Sequence, residues 1–146
     1  MNKKTLILVG LSLLCIFLPS FALGQIQARL RIIEASNVSS GNDPALRDIR
    51  GQLGSLFNFS GYRLLRDVNL NLVGNRPAEV QVHPGRTMEV TLVGEYRKMA
   101  ELKIRLIREG STILNTQVRL ASGRTILIGG PRHGAGVLIF ALSARL

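Results

Sequence analysis

Through most of this chain apolar residues recur at every second position, and that period narrows its folding options more than any other feature. Val68, Leu70 and Leu72 alternate with Asn69 and Asn71, and Val80 and Val82 with Glu79, Gln81 and His83. Met88, Val90 and Leu92 oppose Thr87, Glu89 and Thr91, while Leu102, Ile104 and Leu106 oppose Glu101, Lys103 and Arg105. Successive side chains of a strand point to opposite faces, so each run reads as a strand with one buried and one wet face. An earlier strand, Gln25 to Ile32, sets Ile26, Ala28, Leu30 and Ile32 against Gln27, Arg29 and Arg31. Ile113 to Leu120 and Thr125 to Ile128 are two more. Val137 to Ala144 is apolar on both faces, which predicts a central strand covered from both sides.

Turn residues punctuate the runs: Gly74-Asn75-Arg76-Pro77, His83-Pro84-Gly85-Arg86, Glu109-Gly110 and Ser122-Gly123. Pro84 and Gly85 stand where a type II turn wants them. The alternation is interrupted once. After the loop Asn37 to Asp43, Asp43 is placed to cap a helix with Pro44 in its first turn. Leu46, Ile49, Leu53 and Leu56 follow at spacings of three and four, predicting one amphipathic helix of about 14 residues ending near Phe57-Asn58. Gly51 and Gly54 weaken it, so it must depend on docking to a sheet. The sum is a mostly β domain, an antiparallel sandwich or partly closed barrel of about seven or eight strands with that helix near its start.

Ahead of the domain lies a segment of another kind. Lys3 and Lys4 precede the apolar run Leu6 to Leu18, Pro19 breaks it, and Ala22-Leu23-Gly24 offers small residues for a cut before Gln25. The apolar core is about 13 residues, against roughly 20 for a membrane-spanning helix. Residues 1–24 therefore read as a cleavable signal and 25–146 as a single exported domain, periplasmic or extracellular, with no span left after cleavage. The one cysteine, Cys15, leaves with the signal, so a disulfide-free fold is expected and a bacterial envelope suits it. Without Lys3 and Lys4, 17 Lys and Arg face 9 Asp and Glu, a net charge near +8, and 15 of the 17 are arginine. Such a surface attracts anions, although the cations form no block along the chain.

Chemistry-bearing motifs are sparse. Gly129-Gly130-Pro131-Arg132-His133-Gly134 has the glycine spacing of a phosphate loop, but Ala135 and Gly136 stand where lysine and a hydroxyl residue belong, and a strand follows where a helix is needed. It reads as a hairpin connection, with Arg132 and His133 at its tip as a candidate binding loop. Phe59 and Tyr62, at the exit of the helix, either seal it against the sheet or offer a partner patch. His83 and His133 lack metal-ligand spacing, and Ser111, Ser122 and Ser143 lack a nucleophile elbow. Glu79, Glu89 and Glu101 fit cross-strand pairing with cations. No enzyme, cofactor or metal is expected, unless folding sets a histidine in a cleft beside acidic groups.

Several segments together resemble a group of short exported bacterial β-rich proteins of uncharacterised activity. They are Ile26-x-Ala28-x-Leu30, Asp43-Pro44-x-Leu46, Ser60-Gly61-Tyr62-Arg63-Leu64-Leu65, Leu114-Asn115-Thr116, and Gly129-Gly130-Pro131-Arg132 before Leu138-Ile139-Phe140-Ala141-Leu142. The resemblance implies an envelope setting and brings no functional residues. Two expectations follow. The first is a non-catalytic envelope domain that binds another protein or takes part in an assembly, with exposed edge strands as templates. The alternative is a basic module for an anionic polymer such as polysaccharide or nucleic acid, for lipopolysaccharide, or for a lipid headgroup.

Overall fold

A computed structural model describes residues 24–38 and 41–146. The expected signal, apart from Gly24, lies outside the described residues. Among those residues nine strands form two sheets. The first sheet contains β1 (Gln25–Ser36), β2 (Gly41–Asn42), β3 (Gly61–Val73), β8 (Thr125–His133) and β9 (Gly136–Arg145), in the order β2-β3-β1-β9-β8. The second contains β4 (Ala78–His83), β5 (Arg86–Tyr96), β6 (Met99–Arg108) and β7 (Ser111–Ala121), in sequence order. All pairings are antiparallel except the two-residue β2 against β3. The sheets stack as a sandwich and do not close into a barrel.

The inward residues of both sheets make the main core. Ile26, Ala28, Leu30 and Ile32 of β1, and Leu138, Phe140, Leu142 and Ala144 of β9, meet Met88, Val90, Leu92, Leu102 and Ile104 from the second sheet. A smaller core lies on the opposite face of the first sheet, where Ile33, Ala35, Tyr62, Ile139 and Ala141 are covered by Leu46, Ile49 and Leu53. β9 is therefore buried on both sides, as its unbroken apolar run requires.

The covering segment departs from the expected helix. Asp43 caps it by accepting a hydrogen bond from the Ala45 amide at 3.0 Å, and Pro44 opens it, but Pro44–Ile49 is 3-10 and only Arg50–Leu56 is α-helical (α1). Ile49 breaks the run, with φ −117° and ψ 7°. Leu46, Ile49 and Leu53 are buried while Leu56 is 62% exposed, so the apolar stripe stops one turn earlier than the spacing suggests. Burying three such side chains contributes about 1.5–3 kcal/mol each, which outweighs the roughly 1 kcal/mol cost of each glycine in the segment.

One irregularity in β3 lets it serve both cores. Arg66 pairs with Ile32 and Leu64 with the next residue, Ile33, so Leu65 is an extra residue in the ladder. Tyr62, Leu64, Val68, Leu70 and Leu72 are all even-numbered and would share one face of a regular strand. The bulge flips that parity. Tyr62 and Leu64 turn toward α1, and Val68, Leu70 and Leu72 toward the second sheet.

Candidate functional site

Along the outer face of β1 the odd-numbered residues change character. Ile33 and Ala35 lie under the helical segment, but Gln27, Arg29 and Arg31 run on past its cover. They floor a groove of about 450 Å³ with Asn69, Thr125, Ser143 and Arg145 along its sides. Arg31 sits at the boundary, 2% exposed, where the sequence pattern offers only a strand's wet face. Its two terminal nitrogens donate to the Asp48 carboxylate at 2.8 and 2.9 Å, and its Nε has no hydrogen-bond partner among the described residues. Arg29 binds Asp67 in the same two-pronged way, nearer the surface.

Hydrogen bonds from Arg31 hold the Asp48 carboxyl below the usual carboxylate range, and those from Arg29 do the same for Asp67. Asp43 is lowered chiefly by the amides of Ala45 and Leu64. A carboxyl whose pKa is lower in the folded state contributes stability above its unfolded value, about 3.9 for aspartate, and that contribution is lost as pH falls through the folded value. Stability followed by circular dichroism is thus expected to decline from about pH 4 downward, and less steeply once Asp48 and Asp67 are both asparagine. An unchanged unfolding midpoint between about pH 5 and pH 2 would contradict this account.

The two histidines, 50 positions apart, come together. His83 ends β4 and His133 ends β8, and their rings meet edge to face with centroids 5.7 Å apart. His133 Nε2 lies 3.4 Å from Glu34 Oε2, and Arg63 donates to the other carboxylate oxygen, Oε1, at 3.1 Å. Behind them is a cleft of about 380 Å³ with Ile32, Leu65, Val82 and Leu138 as walls and Arg66 at its edge. Sequence separation hides this arrangement, which does set a histidine in a cleft beside an acidic group. Its lining holds no serine, threonine or cysteine, and among the described residues no group of three His, Cys, Asp or Glu could hold a metal ion. His83, His133 and Arg66 are the basic side chains of its lining.

The glycine stretch is not a loop. Gly129 to His133 belong to β8, with a break in register between Gly129 and Arg132, and only Gly134-Ala135 form the turn. Gly134 has φ 56°, whereas Gly130 is needed for space, since a Cβ there would lie 2.7 Å from the Phe140 ring. Arg132 is exposed and His133 turns back to Glu34, so the two do not share a tip. Phe59 and Tyr62 meet edge to face at 6.4 Å and pack into the smaller core, with the Tyr62 hydroxyl 3.0 Å from the Phe57 carbonyl oxygen. They seal the helical segment against the sheet.

Four of the nine acids, Glu34, Asp67, Glu89 and Glu101, pair with cations across strands, whereas Glu79, expected to do the same, stands opposite Glu89 and has no ion pair among the described residues. Arg105 donates to Glu89 at 2.9 Å and Arg119 to Glu101 at 2.8 Å. The remaining cations are neither one patch nor an even scatter. Arg76, Arg97, Lys98, Arg124 and Arg145 are all exposed and fall at the end of the sandwich where the chain enters β1.

The sheet edges differ in how well they are guarded. β2 is two residues long, β4 is six residues between Pro77 and Pro84, and β8 carries Pro131 and a bulge. β7 has eleven residues, pairs on one side only among the described residues, and carries a single charged side chain, Arg119. Past a register break beside Ile113, its residues Leu114 to Ala121 run regularly against β6. Ile113 is 50% exposed. Such an edge presents a row of open backbone donors and acceptors.

No family model, curated protein or solved structure matches the chain.

Proposed function

We propose that this chain is a non-catalytic exported β-domain, periplasmic or released, that mediates protein–protein interaction or assembly by accepting a partner's strand along β7. The bare edge of β7 carries the reading. β2, β4 and β8 are short or interrupted, and the length of β3 that the two-residue β2 leaves unpaired carries the bulge at Leu65 with Arg66 and Asp67 beside it, devices that commonly keep sheets from pairing with strangers. On β7 the regular stretch from Leu114 to Ala121 has none of them. Added main-chain hydrogen bonds contribute roughly 0.5–1.5 kcal/mol each, and alternate side chains along the edge supply the selectivity.

The reading is tested by placing a photo-crosslinking residue at Asn115 or Gln117 in growing cells. A discrete protein adduct is expected from β7 and none from the same residue at Glu79 on the guarded β4 edge. No adduct from either position, or the same adducts from all three, would remove the proposal.

A further inference from the structure

We infer that the basic end of the sandwich is a seat for an anionic bilayer surface. Three connections close this end: residues 74–77, 97–98 and 122–124. The Asn75 amide donates to the Leu92 carbonyl at 2.8 Å, and the Gly123 amide to that of Ala144 at 3.1 Å. Gln27 pairs with Arg145, so both the entry of the chain into β1 and the end of β9 lie here too. The connections and the end of β9 deliver Arg76, Arg97, Lys98, Arg124 and Arg145, all exposed and none in an ion pair with a described residue, against one exposed acid, Glu95. Strands about 4.8 Å apart in sheets about 10 Å apart put these charges on a face roughly 20 Å across, small enough for one flat anionic surface to meet them together.

The hairpin tip is the clearest part of the seat. Arg97 and Lys98 both adopt positive φ, 50° and 61°, in a two-residue turn where Asn-Gly is the usual choice. Long side chains seldom adopt that backbone, and the result is two exposed cations at one apex. The Arg97 guanidinium lies over the Tyr96 ring, 5.2 Å from its centre. Tyr96 is 60% exposed and Leu146 39%, and both line a groove of about 540 Å³ with the two cations.

That mixture favours a bilayer over a polymer. Phosphates of a nucleic acid or sulfates of a polysaccharide call for cations and polar donors and not for apolar side chains, and single-stranded nucleic acid wants a row of stacking rings, whereas this end has one among the described residues. A tyrosine and a leucine set among arginines suit the boundary between headgroups and acyl chains. The inference is independent of strand addition at β7, so either can fail alone.

The test uses the protein purified as cells export it, sedimented with phosphatidylglycerol–phosphatidylethanolamine vesicles and with phosphatidylcholine vesicles. Binding is expected to the first only and to fall steeply with salt. Each cation near the surface is worth roughly fivefold in partitioning, so Arg97→Gln with Lys98→Gln should weaken binding at least about tenfold. Arg145→Gln, on a different element, should cost roughly fivefold. Arg86→Gln with Arg108→Gln, at the opposite end, should change little and also serves as the check on folding. Equal binding to neutral vesicles, equal loss from the opposite-end pair, or no binding would overturn the inference. Tighter retention on heparin or single-stranded DNA than on the anionic vesicles at matched salt, lost with the same substitutions, would overturn it in favour of a polymer.

Discussion

Gly136→Ala is expected to destabilise the protein by roughly 3 kcal/mol or more, at the upper end of what overpacking costs. Gly136 opens β9 beside the end of β1, and a Cβ built there overlaps the carbonyl oxygen of Ala35. The obstacle is backbone, in a strand paired on both sides, so no rotamer change relieves it. Gly134→Ala, two residues earlier, supplies the comparison. It has positive φ but open space around it, so its cost should stay near 1–2 kcal/mol. Urea unfolding of the two variants measures the difference, and equal midpoints would refute the crowding argument.

Asp48→Ala should come second, at about 3 kcal/mol, the low end for breaking a buried ion pair. The guanidinium of Arg31 is almost wholly enclosed, while the Asp48 side chain is 59% exposed, so water partly replaces the lost carboxylate. Asp67→Ala removes the partner of the more exposed Arg29 and should cost no more than about 1 kcal/mol. Arg31→Met combined with Asp48→Ala should recover most of the loss, because the uncompensated charge is then gone. Thermal unfolding of these variants decides the matter. If Asp48→Ala proves as mild as Asp67→Ala, Arg31 does not depend on its carboxylate.

The same pair marks where sequence reading stops. Alternation in β1 says which residues face inward, and all of Ile26, Ala28, Leu30 and Ile32 do. It says nothing about what covers the other face, so Arg31 reads like Arg29 although one is enclosed and the other is not. β9 was legible because an apolar residue on both faces has only one physical explanation. β3 was legible as a strand but not as a strand that changes face, since the bulge at Leu65 leaves the even-numbered apolar pattern undisturbed. The helical segment was legible in its cap and its first three apolar positions. Its break at Ile49 and the exposure of Leu56 come from docking, which the spacing does not carry. Gly129 and Gly130 read as loop because glycine is commonest there, yet Gly130 is required by the Phe140 ring across the ladder. The pairing of His83 with His133, and the gathering of five cations at one end, depend on strand order, which local pattern does not encode.

Strand order also sets a clock. β1 sits between β3 and β9, so the first strand made cannot acquire its second neighbour until the last one exists. Joining Gln27 to Arg145 closes a loop of more than a hundred residues, a cost of about 4 kcal/mol in chain entropy before the contact is rewarded. The partial chain has β3 for β1 to lean on, but Leu30 and Ile32 still lack Leu142 and Phe140 beside them. A chain of this topology completes its first sheet only once β9 is available to pair with β1.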